Sequence, residues 1–349
     1  LFDNCLIGVC NMNCMYCRND SFKYIRKGLI KISGSFVNLN KLERELKSIA
    51  LLVKDVFDIP IIKISGYGES FLLPNLMEII RIVSESYERT QIITNATSLN
   101  KNIISRLSKI PGINICISLD GHLPELNACR TISNHLIKKI LYNINILREY
   151  RIPVEINSVL TKYNISRFVE FIAYLSDRYD NLTCYPFPVR GSKDLSVLGS
   201  KDVRRLLPLL DSYQRFSRIL PHKEYINRLV SFIKEGGRKN KCYVGYSNLG
   251  LEPNGNIPIC ACNLKDSIGN IFDREPKLVL NRAKSHPVFY KFLIKEYSFK
   301  NCHECFTHYE IINLYLDGTI TLEETSQIPL FNGKRTQRIL KELQSQINS

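Results

Sequence analysis

Short apolar runs of strand length alternate with longer stretches in which apolar residues recur at every third and fourth position, and the alternation repeats about six times before residue 195. The strand-like runs are Cys5 to Val9, Ile61 to Ser65, Gln91 to Thr94, Ile113 to Ser118, Val154 to Val159 and Leu182 to Phe187. Between them the helical period appears over Leu42 to Val56, Leu76 to Tyr87, Leu136 to Tyr150 and Ile165 to Tyr179. Serial βα units of this kind require a parallel sheet, because parallel neighbours need a crossover and a helix supplies it. The expected fold is therefore α/β, a partial (β/α)6 barrel over residues 1–195, with chemistry at the carboxyl ends of its strands.

The pattern then changes. Lys201 to Tyr213 and Tyr225 to Lys234 read as basic helices closed by Gly236-Gly237, a helical connector over 196–240. Residues 241–325 read as a small cysteine-bearing α+β module, with a hairpin over Leu251 to Ile259 turning at Asn254-Gly255 and a second turn at Asp317-Gly318 between two strand-like flanks. Residues 326–349 form a basic tail whose Lys334 to Ile347 is expected to be a surface helix. No apolar run approaches the roughly 18 residues of a bilayer span. The chain opens at Leu1 and enters a core-like run almost at once, so a few residues are expected to precede it, and a cytoplasmic location is the expectation.

Composition narrows the classes. With 349 residues, 44% hydrophobic and 23% charged, the chain is neither disordered nor fibrous. A formal charge of +15 points to an anionic partner or to a solvated basic face. The 12 cysteines are clustered and unevenly spaced, unlike the disulfide framework of a small secreted domain, so metal or cluster ligation is the better reading.

Cys10, Cys14 and Cys17 stand as Cys-x3-Cys-x2-Cys just after the first strand, with Tyr16 before the last of them. Three thiolates from one loop can hold three irons of a 4Fe-4S cube and leave the fourth open. A zinc site completed by a distant His and plain core thiols are the alternatives. This spacing, with an aromatic before the third Cys, resembles the cluster motif of the radical S-adenosylmethionine (radical SAM) superfamily. Ser65-Gly66-Tyr67-Gly68-Glu69-Ser70 resembles that family's Gly-Gly-Glu-Pro stretch, departing from it at Tyr67 and Ser70. The resemblance implies that Gly66, Gly68 and Glu69 bind the amino group of SAM, that Ser118 meets the ribose, and that Arg130, twelve residues further on, meets the methionine carboxylate. Tyr16, Asn95 and Asn157 are expected to line the same pocket, as is the Pro186 to Gly191 loop. It also implies an external electron donor such as flavodoxin or ferredoxin, reductive cleavage of SAM to a 5'-deoxyadenosyl radical, and hydrogen abstraction from a substrate.

Further on, Cys242 lies thirteen residues before Gly255, Cys260 five after it, and Cys302 and Cys305 form a tight pair. Four thiolates close a site completely, as a structural zinc ribbon or as an iron–sulfur cube. The arrangement resembles the twitch module, a shortened relative of the SPASM domain, which implies one auxiliary 4Fe-4S cluster on Cys242, Cys260, Cys302 and Cys305. Cys262 can replace Cys260 as a ligand, pack as an apolar residue, or serve as a hydrogen-atom donor as Cys does in family epimerases. Cys5, Cys116, Cys129 and Cys184 read as core, and His303 and His308 as residues around the second cluster or on the surface. The substrate class implied is a small polar metabolite of sugar or aminocyclitol type, or a peptide or protein. No leader-binding winged-helix pattern is legible, which weighs toward the metabolite. A peptide epimerase and, from another class, a zinc-containing nucleic-acid-binding protein with basic segments at 201–205, 238–241 and 334–338 are the rivals.

Overall fold

The computed structural model describes residues 2–7, 10–17, 29–32, 35–66, 68–73, 75–190, 193–196, 199–252, 254–260, 262–272, 275–289 and 302–348. Six strands wind in sequence order into a parallel sheet: β1 (Phe2–Ile7), β4 (Ile61–Gly66), β5 (Arg89–Thr94), β6 (Ile113–Ser118), β7 (Val154–Leu160) and β8 (Leu182–Pro188), with a small hairpin of β2 (Leu29–Ile32) and β3 (Ser35–Asn38) set before β4. Each crossover carries a helix, at Leu39–Phe57, Leu76–Ser84, Lys101–Leu107, Asn134–Glu149 and Phe168–Arg178. The turns between are fixed by local chemistry: Asn100 and Ser133 cap their helices by accepting from the amides of Ile103 and Leu136. The strands read as near-continuous apolar runs because helices cover the outer face, as a parallel sheet requires. Ile62, Ile64, Ile92, Ile115, Ile117 and Ile156 are all fully buried there.

The predicted α/β partial barrel is thus present, with three corrections. The first strand ends at Ile7, and Gly8 and Val9 lie outside the described residues. Leu251 and Ile259 lie on strands that the turn brings side by side, the Glu252 N–H donating to the Asn256 carbonyl at 2.9 Å, but they share no strand ladder. Leu249–Leu251 is β9, a seventh strand of the barrel sheet, paired in parallel with β1 (Phe2 with Leu249, Asn4 with Leu251). Its short apolar run completes the otherwise unpaired edge of β1. The Asn254-Gly255 turn does form: Gly255 has φ 88° and its N–H donates to the Glu252 carbonyl at 2.9 Å. It delivers the chain into β10 (Asn256–Cys260), which pairs antiparallel with β11 (Asn263–Asn270).

Asp317-Gly318 turns between helices, not strands. Every residue of the helix Glu310–Leu316 is buried, and Gly318 at φ 78° follows its end, its N–H on the Tyr315 carbonyl at 3.0 Å. A Thr321/Glu324 capping box then opens Leu322–Ser326.

The helices of the basic connector, Ser200–Asp211 and Lys223–Lys234, pack on the barrel: Leu206, Leu209, Ile226, Leu229 and Ile233 are fully buried in the main core. The tail helix Lys334–Asn348 docks as well. Glu88 accepts from the amides of Arg335 (3.0 Å) and Thr336 (2.8 Å), Asp58 pairs with Arg335 and Arg338, and Leu340 is buried. Among the described residues no helix is long and apolar enough to cross a membrane.

Candidate active site

The loop that follows β1 carries Cys10, Cys14 and Cys17 across the carboxyl ends of the strands, and side chains at two strand ends hold it there. At the end of β5, Asn95 donates to Asn11 Oδ1 (2.8 Å), Asn11 donates to Thr97 Oγ1 (2.9 Å), and Asn95 Nδ2 lies 4.0 Å from the Cys10 sulfur. Past β6, the Tyr16 hydroxyl donates to Asp120 Oδ2 (2.6 Å) and accepts from Arg130 Nη1 (2.8 Å), while the Met15 amide donates to the Cys129 carbonyl (2.7 Å). Asp120 is itself fixed by the Val159 amide at 2.9 Å. Within the loop the Cys17 amide closes a turn on the Cys14 carbonyl (3.0 Å), and the Met12 amide donates to the Cys10 sulfur (3.4 Å). The three thiols are near enough to feel one another's charge.

Glu69 is the buried acid of this mouth. Its carboxylate accepts from Thr94 Oγ1 (2.5 Å), the Asn95 amide (2.6 Å) and the Phe71 amide (3.2 Å). Of roughly four lone-pair sites on a carboxylate, three are taken and one remains for a cationic ligand. Burial raises the Glu69 acid above its ordinary range, against which these three hydrogen bonds and Arg130 act. Gly66, at φ 144°, takes a backbone conformation that side chains rarely adopt, as close approach to a ligand requires. Gly68 sits one residue before Glu69, and Tyr67 lies outside the described residues.

Burial likewise raises Asp120 and Tyr16, and Cys10 and Cys14 with them, while Arg130 keeps its charge against burial through Tyr16, Cys14 and Asp120. A cationic centre among these sulfurs would reverse that, since ligation needs thiolates. Ser118 ends β6 directly opposite Asn157 of β7. Asn157 is buried, and its Oδ1 has no hydrogen-bond partner among the described residues, an acceptor suited to a ligand hydroxyl.

The second group of cysteines gathers beside β8. Cys262 Sγ is within hydrogen-bonding reach of both Cys260 and Cys305, and Cys242 feels the charge of Cys305. Two arginines flank them. Arg190, just past β8, donates to Cys305 Sγ (3.4 Å) and reaches Cys262, and Arg238 pairs with Glu310 (2.8 Å) and donates to the Cys305 carbonyl (2.9 Å). Cys302, three residues before Cys305, is partly buried. Among the described residues no three His, Cys, Asp or Glu side chains converge on one ion-sized point.

Residues 5–175 match the profile of the radical SAM superfamily. Those residues form a radical SAM domain. Over 302 residues it is 26% identical to the uncharacterized protein MJ0907 of Methanocaldococcus jannaschii, covering 82% of this chain and 94% of that one. Over 170 residues it is 24% identical to mycofactocin maturase MftC of Mycobacterium ulcerans, covering 49% of this chain and 42% of that one. Among solved structures, anSMEcpe with bound AdoMet aligns at TM-score 0.61 and 16% identity over 99% of both chains. SuiB of Streptococcus suis aligns at 0.60 and 17%, over 86% of this chain and 67% of that one. These likenesses show the fold.

A radical SAM site needs three thiolates, an acid and hydroxyl partners around one ligand, and the residues of this mouth fit it. Cys10, Cys14 and Cys17 could hold a 4Fe-4S cluster, and Glu69 follows β4 while Ser118 ends β6 opposite Asn157 of β7. Sequence reading missed Asn11, Asp120 and Thr97, the residues that pin the loop; Asp120 was visible only as one member of the Ser118 to Gly121 strand end. His308, read as lying around the second cluster or on the surface, is buried: its ring packs against Tyr185 and Phe187 of β8 within reach of the Arg190 charge, and its Nε2 lies 2.6 Å from Lys63 Nζ on β4.

Proposed function

We propose that this protein is a radical SAM enzyme that oxidises a peptide or protein substrate, and that Cys242, Cys260, Cys302 and Cys305 would hold an auxiliary 4Fe-4S cluster, which would supply a one-electron acceptor. The observation that carries the reading is the pinning of the Cys10–Cys17 loop to two strand ends, through Asn11 with Asn95 and through Tyr16 with Asp120 and Arg130. Bound there, a cluster and SAM supply the 5'-deoxyadenosyl radical that removes a hydrogen atom. The chain's own residues do the rest. Glu69 receives the SAM ammonium at its remaining lone pair, Arg130 is aimed at the carboxylate by Tyr16, and Ser118 and Asn157 take the ribose hydroxyls. Glu69 and Asp120 are buried and would keep water from that side of the radical.

The peptide reading is supported by relatives: SuiB is known bound to its precursor peptide SuiA, anSMEcpe with bound peptides, and MftC is a maturase. The charge of +15 favours an acidic peptide, and an external flavodoxin or ferredoxin would supply the first electron.

Anaerobically reconstituted protein given dithionite and SAM is expected to release 5'-deoxyadenosine. Cys14→Ala abolishes the release and Cys302→Ala keeps it. Equal release from Cys14→Ala would end the proposal. Transfer of deuterium from labelled acidic peptides into 5'-deoxyadenosine then tests the substrate class, and transfer from small polyols alone would replace it.

A further inference from the structure

The row of pocket residues runs one strand further than Asn157. Ser118 of β6 is the register partner of Asn157 on β7, and Asn157 is the register partner of Tyr185 on β8. Matched positions on neighbouring parallel strands share a face, so Tyr185 stands on the same face as Asn157, one strand spacing of ~4.8 Å away. We propose that Tyr185 is a hydrogen-atom donor to the 5'-deoxyadenosyl radical, quenching it when no substrate hydrogen is in reach. This rests on the radical SAM reading of the mouth.

Three observations carry it. First, the hydroxyl is uncommitted. Tyr185 is 2% exposed, yet its hydroxyl has no hydrogen-bond partner among the described residues, whereas the adjacent Tyr225 hydroxyl donates to the Pro186 carbonyl at 3.0 Å. A buried phenol ordinarily finds such a partner. Burial also keeps Tyr185 protonated, so the O–H bond to be broken is present. Second, the ring is held: Tyr225 and His308 meet it edge-on, with centroids at 5.6 and 6.5 Å. Third, Tyr185 is the next side chain along from the pair proposed to take the ribose hydroxyls, and the radical carbon is attached to that ribose.

The chemistry balances. A phenol O–H bond is weaker than a methyl C–H bond, so transfer runs downhill: the 5' carbon gains a C–H bond, the Tyr185 O–H bond breaks, and a phenoxyl radical remains. One electron from a reductant such as dithionite and one proton from water restore the phenol. The nearest rival donor is the thiol of Cys116, buried on β6 two residues before Ser118.

The test uses the anaerobically reconstituted full chain, equilibrated in D2O and given dithionite and SAM without substrate. Wild type is expected to release 5'-deoxyadenosine carrying solvent deuterium, and freeze-quenched samples to show a phenoxyl signal by electron paramagnetic resonance. In Tyr185→Phe, which keeps the ring contacts, the deuterium per molecule of 5'-deoxyadenosine should fall severalfold and the signal should vanish. Cys116→Ala should keep both. No deuterium in the wild-type product, undiminished deuterium in Tyr185→Phe, or loss in Cys116→Ala alone would each overturn the assignment while leaving SAM cleavage in place. Wild type that releases no 5'-deoxyadenosine at all would overturn it together with the radical SAM reading.

Discussion

The least expected residues lie on the inner face of the barrel. Lys63, Gln91, Asn114 and Glu155 occupy successive strands β4 to β7, and all four are buried. Gln91 and Asn114 donate to the two oxygens of Glu155 at 2.8 and 3.2 Å, and Lys63 meets His308 and the Tyr309 hydroxyl (3.0 Å). Burial pushes the Glu155 acid from 4.5 up to about 7, with Lys63, Asn114 and Gln91 pulling the other way. Between those two values the folded protein holds a proton that the unfolded chain has released, so stability falls as pH rises through the window from 4.5 to about 7. Glu155→Gln is expected to flatten that slope in thermal unfolding measured below and above the window; an unchanged slope would show that Glu155 does not cause it. The sequence carried a signal for this layer: Ile61-Ile62-Lys63-Ile64 and Val154-Glu155-Ile156 each interrupt an apolar strand with a charge. Such an interruption says only that the position is unusual, and the partner that neutralises it is set by register between strands far apart in the chain.

Among the secondary elements, the strands and helices of the barrel were legible because their periods were long and clean. What misled was turn chemistry. Asp317-Gly318 fits a hairpin and a helix C-terminus equally well, since both use a residue at positive φ, and the β-branched flank Thr319-Ile320-Thr321 tips the reading toward strands. Packing decided otherwise. Glycines with the same backbone sign are nonetheless unequal in their surroundings. At Gly318 (φ 78°) a Cβ would meet nothing within 4 Å, whereas at Gly112 (φ 72°) it would lie 2.5 Å from the Glu88 carbonyl oxygen. Gly318→Ala is expected to cost about 1 kcal/mol through backbone strain alone. Gly112→Ala should cost more, because a main-chain oxygen cannot swing aside. Urea unfolding of the two variants decides it, and equal midpoints would mean that the strand start at Arg89 gives way freely.

For the molecule as a whole, charge was the poorer guide. Arg205, Arg238, Arg335 and Arg338, all from the basic segments that could have read phosphates, pair instead with carboxylates of the same chain, Arg238 with Glu310 in a buried pair and the others with Asp202 and Asp58 nearer the surface. The tail expected to be a surface helix is tied down in the same way. Its removal after Gly333 would strip Glu88 of its amide partners and Asp58 of its arginines, so a lower midpoint of thermal unfolding is expected. An unaltered midpoint would mean that the helix merely rests on the barrel. The cysteine motifs were legible because they are local; the pinning residues were not, since Asn11 with Thr97 and Tyr16 with Asp120 are joined only by the barrel's closure.

The return of the chain to β1 through Leu249–Leu251 bears on how such proteins diversify. A recombination event that exchanged the cysteine-rich half at the Gly236-Gly237 seam would take a strand out of the barrel, leaving β1 with a raw hydrogen-bonding border prone to self-association. Any viable chimera must import a replacement strand along with its new cysteines, so the two halves are expected to be inherited as one unit.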